Sequence, residues 1–228
     1  MSDTATVSTE TATYRRPSGL NAIYQDSRVI AWRNLVHLPR TPQLVIFTLI
    51  QPIMFVLLFT YVFGGAIGKA LPPGVSYAQF LIPGIMVQTL VFGTSATAVG
   101  LAEDLQNGII DRFRSLPISR SAVLNGRILA DMIRLTAVAT VLVVIGYVVG
   151  FRFQGGLGLG LLMILVAVAF GTSMCWIMTN IGMRVKDAET AQTAGFVWLF
   201  PLTFISSVFT PVYTMPAWLQ VFARNNPV

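Results

Sequence analysis

Five apolar stretches, Leu44–Ile67, Phe80–Ala102, Ile128–Gly150, Leu157–Gly182 and Thr193–Phe209, dominate the sequence, and its charges stand almost entirely between them. About 20 consecutive apolar residues cross the ~30 Å hydrocarbon core of a bilayer as a helix. Inside lipid a backbone has no water to bond, so a spanning segment must be a helix or part of a closed barrel. Runs of this length predict helices, and the chain reads as an all-α polytopic membrane protein with five spans. Only 11% of its residues are charged and 54% are hydrophobic, whereas soluble domains carry about 25% charge. Gln51-Pro52 interrupts the first run, and proline removes a helical hydrogen bond, so a break is expected there.

The net charge of +6 raises the question of nucleic acid. The bases argue against it, because they form short clusters between apolar runs. Arg15, Arg16, Arg28, Arg33 and Arg40 precede the first run. Arg112, Arg114, Arg120 and Arg127 lie between the second and third, and Arg184 and Lys186 between the fourth and fifth. The alternate side has only Lys69, Arg152 and Arg224. The positive-inside rule then places the N-terminus and the 103–127 loop in the cytoplasm.

Residues 1–19 are polar and Ser/Thr-rich, and read as a disordered cytoplasmic tail. Residues 20–228 form one transmembrane domain. Within it, 20–40 carries Leu20, Ile23, Tyr24, Ile30, Ala31, Leu35 and Leu38 at helical spacing, with Asp26, Arg28 and Arg33 between them. That pattern predicts an amphipathic helix on the inner membrane face. The 210–228 segment is too short and too broken by Pro211 and Pro216 to span. It predicts a short helix dipping into the outer leaflet with Trp218 at the interface. Five spans from an inside start leave Val228 outside after an apolar hairpin, and a sixth span is expected to follow such a hairpin.

Catalysis is not expected. The nearest approach to a phosphate-cradling loop, Gly64–Ala70, is one residue short, lacks a hydroxyl after Lys69 and falls on the outer side. His37 and Cys175 are the only residues of their kinds, so metal-ligand spacing is absent, and a Ser/His/Asp triad would need His37, in the 20–40 helix, to reach a serine across the membrane, with nothing to support it. No cofactor is expected in this chain.

The loop "EDLQNGIIDRFRSLPISRS" holds three of the nine acids and three of the fifteen bases. On a helix from Gly108 to Leu116, Ile109, Phe113 and Leu116 share one face, and Pro117 stops the helix. Two readings stand beside each other. One is a connector lying on anionic headgroups. The other is a knob with an aromatic anchor, Phe113, ringed by arginines and plugged into a soluble partner.

The run "GIIDRFRSLPISRSAVLNGRILADMIR", preceded by "YAQFLIPGIMVQTLVFG", followed by "GYVVGFRF" and later by "FPLTFISSVFTPVYTMPAWLQVFARNNPV", resembles the membrane subunit of ABC type-2 exporters, of the daunorubicin/doxorubicin-resistance type. The resemblance covers roughly Asn34 to Val228. It implies a permease of amphipathic drug-like or antibiotic compounds, driven by ATP and Mg on a separate ATPase subunit and paired with a second copy or a homologous permease. It maps a coupling helix onto Gly108, Asp111, Arg112, Phe113, Arg114, Leu116 and Pro117. It matches 20–40 to an interfacial connecting helix and 210–222 to an outer re-entrant hairpin, and it implies the sixth span. The importer loop, E-A-A-x-x-x-G with I-x-L-P beyond, is echoed near Ala102-Glu103, but its spacing fails. Export of a lipid or lipid-linked glycan, and a non-transporting scaffold, are the rival readings. A secondary transporter would need acids or bases in mid-span, and the middle of every run lacks them.

At membrane depth, Gln51, Gln88 and Thr203 with Phe55, Phe59, Phe92 and Phe204 are candidates for a translocation path. Each has an ordinary alternative: polar groups bond neighbouring helices or their own backbone, and aromatics face lipid. Arg127, Asp131 and Arg134 lie at i, i+4 and i+7. They read either as ion pairs snorkelling to the interface or as a relay from the loop into the span. Gly146-x-x-x-Gly150 and Gly156-x-x-x-Gly160 would permit close helix approach.

Overall fold

The computed structural model describes residues 24, 27–32, 42–67, 76–110, 120–185, 187–206, 208 and 212–226. Every regular element among them is helical. Helix α1, Pro42–Leu58, runs on through a π-helical turn, Phe59–Phe63, into Gly64–Ile67. Helix α2 is Tyr77–Gly93 and α3 is Ser95–Gln106, separated only by Thr94. Then follow α4, Arg120–Val149, α5, Gly156–Arg184, α6, Ala188–Phe204, a 3-10 turn at Val212–Thr214, and α7, Ala217–Asn225. Three stretches, Tyr77–Gln106, Val123–Val149 and Gly156–Arg184, are long and apolar enough to cross a bilayer. On α5, Leu157, Leu161, Leu165 and Trp176 are exposed, a cost in water that lipid removes.

Pro52 does not break α1: the helix continues through it, and the irregularity falls instead at the π turn Phe59–Phe63. The Thr60 hydroxyl is buried in that turn without a partner. Proline is tolerated inside apolar helices where neighbours satisfy the freed backbone, and Pro83 in α2 and Pro201 in α6 are placed in the same way.

Local chemistry sets the helix ends. Ser76 and Gln79 form a reciprocal capping box at the start of α2, and the Gln154 amide donates to Gln79 Oε1 at 3.0 Å, tying the 151–155 turn to it. Asp187 caps α6, accepting from the Thr190 N–H at 2.6 Å and its hydroxyl at 2.8 Å. Those bonds hold its carboxyl below the usual carboxylate range. At the other end of α6, the Asn226 amide donates to Leu202 O at 2.6 Å and to Ile205 O at 2.8 Å. These contacts fold α7 back onto carbonyls that a helix terminus leaves unpaired.

The core is continuous along the bundle. Met86, Leu90, Leu135, Ala139, Leu142 and Cys175 join α2, α4 and α5 at its centre. Val56, Tyr77, Leu81, Ile85 and Phe151 close one end, and Val91, Ala98, Met178, Ala191 and Leu199 pack α3 and α6 onto α5. The 27–32 segment lies against α4: a Cβ at Gly126 would sit 2.7 Å from Ser27 O and 2.8 Å from Ile30 Cβ. Ile30 and Ala31 are therefore buried on protein, whereas Tyr24, Val29 and Trp32 are exposed. The rest of the 20–40 helix lies outside the described residues.

The glycine pairs divide their work. Gly146 meets Ile82 and Gly160 meets Phe153, but Gly150 (φ +107°), in the turn after α4, and Gly156 (φ +77°), the first residue of α5, have no neighbour within 4 Å of an added Cβ. A tighter helix crossing at a glycine is elsewhere: a Cβ at Gly182 of α5 would stand 2.6 Å from Ala98 O of α3. Gly182→Val should therefore push α3 off α5 and cost about 1–3 kcal/mol. Gly158→Ala, with open space around it, should stay within about 0.5 kcal/mol. Thermal denaturation of the two purified variants in one detergent checks this; equal melting temperatures would show that the α3–α5 contact is not tight.

Candidate functional site

Helix α4 turns Arg127, Asp131 and Arg134 toward α3 and the end of α2, and each of the three finds a partner there. Arg127 Nη1 pairs with Asp104 Oδ2 at 2.6 Å. Its guanidinium lies across Gly100, where any Cβ would collide with it. One turn on, Asp131 Oδ2 accepts from the Thr97 hydroxyl at 2.8 Å. Asp131 Oδ1 accepts from Arg134 Nη2 at 2.7 Å, and the same Nη2 donates to Gly93 O at 3.1 Å. The helices run antiparallel, so 127, 131 and 134 meet 104, 97 and 93 in turn. These side chains are 13–24% exposed. The Asp131–Arg134 pair does not snorkel outward; it turns into the bundle.

The break between α2 and α3 explains why. The Thr97 N–H bonds Thr94 O at 2.9 Å, while Gly93 O accepts from Arg134. The Thr94 hydroxyl donates to Val91 O at 2.6 Å. A carbonyl left out of the helical ladder in lipid costs several kcal/mol unless another donor takes it. Arg134 supplies that donor, and Asp131 neutralises it.

Arg134 also belongs to the wall of a cavity of about 540 Å³. Gln51, Pro52 and Phe55 line it from α1, Gln88, Thr89, Phe92 and Gly93 from α2, Ser95 and Ala96 from α3, and Phe196, Phe200 and Phe204 from α6. The volume suits a drug-sized molecule. Phe92 and Phe200 meet edge-to-face at 5.3 Å, and Phe200 and Phe204 stack at 5.3 Å. Phe200 and Phe204 are each 51% exposed, so this side of the cavity wall is only partly covered by the chain itself.

Of the path candidates, Gln51, Phe55, Gln88, Phe92 and Phe204 come together in this wall. Two do not. Thr203 is fully buried and its hydroxyl donates to Leu199 O at 2.8 Å within its own helix. Phe59 stands edge-to-face on Phe55 and packs in the cluster around Tyr77 and Leu81. Sequence reasoning missed Phe196 and Phe200, although Phe196, Phe200 and Phe204 form a visible i, i+4, i+8 stripe, and it missed Arg134 as a cavity residue. The middle of the bundle thus carries an ion pair that hydropathy alone assigned to its edge.

Of the coupling residues, only Gly108 is among those described. Its φ of +65° ends α3 in the left-handed conformation, with its N–H on Leu105 O at 3.1 Å. That is a glycine stop rather than the first residue of the next helix. Helical backbone resumes at Ile109 and Ile110. Asp111, Arg112, Phe113, Arg114, Leu116 and Pro117 lie outside the described residues. Glu103 and Asp104 sit at the end of α3, and Asp104 is committed to Arg127.

A bundle of apolar helices, with a partly covered aromatic cavity, has known relatives. Daunorubicin resistance ABC transporter permease protein DrrB1 of Streptomyces coeruleorubidus is 35% identical over 198 residues, covering 86% of this chain and 69% of that protein. Probable doxorubicin resistance ABC transporter permease protein DrrC of Mycobacterium tuberculosis is 27% identical over 184 residues, covering 81% and 66%. Probable multidrug ABC transporter permease YbhR of Escherichia coli is 25% identical over 158 residues, covering 68% and 42%. The aligned part of this chain thus spans about two thirds of the first two relatives and less than half of the third. The ABC-2 type transporter family profile matches residues 25–228, and the chain belongs to that family as a multi-pass membrane permease.

Proposed function

We propose that this permease exports amphipathic, drug-like or antibiotic compounds through the cavity between α1, α2, α3 and α6, using ATP hydrolysed with Mg on a separate subunit. The observation that carries the reading is the convergence of Gln51, Phe55, Gln88, Phe92 and Phe204 on one drug-sized space inside a bilayer-spanning bundle. The resistance phenotypes in the names of the DrrB1 and DrrC relatives support it. In this reading five spans run from a cytoplasmic N-terminus in the bacterial inner membrane. Two copies, or this chain and a homologous permease, form the pathway with two ATPase subunits. The 108–117 segment docks in the ATPase, with Phe113 as anchor and Arg112 and Arg114 beside it.

The polar seam is a route for the stroke. Asp104–Arg127 stands next to the loop, and Asp131–Arg134 reaches the cavity wall. A short ion-paired ladder is stiff, and a rigid element shared by two sites is what transmits a displacement between them.

The Phe113→Ala, Arg112→Ala double variant should still insert but lose most of its hold on the ATPase. A buried aromatic–Arg anchor is worth about 2 kcal/mol or more, so transport in vesicles should fall at least tenfold. Normal assembly and export by the double variant would overturn the docking assignment. Asp131→Asn keeps the hydrogen-bonding shape of the seam and removes its charge. It should fold, yet move several-fold less compound per ATP than wild type. Asp131→Ala removes the hydrogen-bond acceptors as well as the counter-charge of Arg134 and should cost about 3–5 kcal/mol of stability. Unchanged transport and ATPase stimulation in Asp131→Asn would eliminate the seam as a relay.

A further inference from the structure

At the end of the bundle opposite the loop between α3 and α4, the 151–155 turn closes over α2 and the start of α5. A cavity of about 240 Å³ lies there, with Gln79, Pro83, Arg152, Gln154, Leu159 and Met163 in its wall. Pro83, Leu159 and Met163 also line a groove of about 390 Å³ that runs on between α2 and α5, past Met86, Val87 and Val166. Every residue of that groove is apolar. The two spaces are therefore continuous, with a polar mouth and an apolar body. They share no residue with the cavity between α1, α2, α3 and α6, which takes Gln88, Thr89 and Phe92 from α2.

The charge at the mouth is unbalanced. Arg152 Nη1 donates to Tyr147 O at 2.6 Å and Phe151 O at 2.8 Å, and the guanidinium stands 5.0 Å from the centre of the Tyr147 ring. These contacts hold the side chain in place without supplying a counter-charge. A guanidinium has five N–H groups, and those on Nε and Nη2 donate to no protein group among the described residues. Arg134 has Asp131 beside it; Arg152 has no such partner. The described acids, Glu103, Asp104, Asp131, Asp187 and Glu189, belong to the middle of α4 or to the other end of the helices, and none lines either space.

Gln79 adds donors in a fixed orientation. Its Oε1 accepts from the Ser76 N–H at 3.1 Å and from the Gln154 amide at 3.0 Å. A backbone N–H only donates, so the oxygen must face it, and the Nε2 group is turned the other way. Neither of its N–H groups meets a protein acceptor among the described residues. Gln154 Oε1 is an acceptor at the same mouth, but a neutral one that cannot balance a guanidinium.

The groove by itself selects nothing, because lipid tails are as apolar as its walls. Selection must come from the head group. Arginine takes phosphate oxygens in charge-assisted, two-pronged bonds, and basic pockets between membrane helices hold anionic head groups in this way. A zwitterionic lipid would bring a cation of its own to a place with no acid to receive it. We infer that the mouth and groove bind one phospholipid of net negative charge. Its phosphate is taken by Arg152 and Gln79, and one acyl chain lies between α2 and α5 past Pro83 and Met163.

The test offers the full chain, purified in detergent and stripped of lipid, an equimolar mixture of dioleoyl phosphatidylglycerol and dioleoyl phosphatidylcholine. Native mass spectrometry identifies the first lipid retained. Wild type should retain phosphatidylglycerol at least fivefold over phosphatidylcholine, and Arg152→Gln should bring that ratio below twofold. Gln79→Glu keeps the oxygen that caps Ser76 but puts a negative charge where the donors were; it should abolish the preference with an unchanged melting temperature. Val166→Trp, at an exposed position of the groove, should lower retention of both lipids alike. Arg224→Gln removes a base at the same end that lines neither space, and should leave the wild-type ratio. A wild-type ratio near one, a preference that survives Arg152→Gln, or retention unmoved by Val166→Trp overturns the inference. So does an equal loss in Arg224→Gln, which would make the preference one of overall surface charge. Displacement of the retained lipid by millimolar inorganic phosphate would show a pocket for free anions and overturn it as well.

Discussion

One antiparallel ladder of polar contacts, from Asp104–Arg127 through Thr97–Asp131 to Arg134–Gly93 O, fixes how this bundle is put together. In a lipid-solvated fold the hydrophobic effect does not choose between helix partners, because lipid tails are as apolar as leucine. Register must come from groups that cannot be left unpaired. Four charges and a freed carbonyl meet that description, and the ladder pairs them with one another, although the Arg127 Nε stays buried without a partner. Gly100 completes it by leaving the space in which the Arg127 guanidinium lies.

The same ladder explains why α2 and α3 are two helices rather than one. A continuous helix would keep Gly93 O in its own hydrogen-bond series and offer Arg134 nothing. With the break, Phe92, Gly93, Ser95 and Ala96 line the cavity on both sides of Thr94. The irregular backbone and the cavity wall therefore share one origin. Both sit where protein, not lipid, surrounds the freed groups. The π turn of α1 is a second departure from the regular ladder, and its unpaired Thr60 hydroxyl has no such compensation.

Much of this was legible in the residues. Apolar run length located the three stretches long and apolar enough to cross a bilayer, because a bilayer imposes one length scale on all of them. The capping box at Ser76 and Gln79 was equally readable as S-x-x-Q and would have moved the start of α2 from Phe80 to Tyr77. The i, i+4, i+7 spacing of Arg127, Asp131 and Arg134 announced a charged face, but spacing gives a direction around a helix and not the partner that waits there. Hydropathy placed those charges at the membrane edge since it averages over a window and cannot see an ion pair cancel. Pro52 misled for a related reason: proline removes one hydrogen bond, and only the packing around it decides whether the helix yields. The Gly-x-x-x-Gly pairs were found where the motif is, whereas the tight crossing falls at Gly182, a glycine without a partner in sequence, facing a backbone contributed by another helix.

On the proposed reading of the cavity as the cargo site, with the half-open Phe200 and Phe204 facing lipid, the bilayer itself would become a sorting step. A molecule reaching those rings would arrive from the acyl chains, so its local abundance would be set by partitioning before the protein touches it. Each methylene added to such a molecule favours lipid by about 0.8 kcal/mol, roughly fourfold in concentration. Two compounds held equally well by the walls would then be handled at rates differing by their oil–water ratios, and greasiness would pass for affinity.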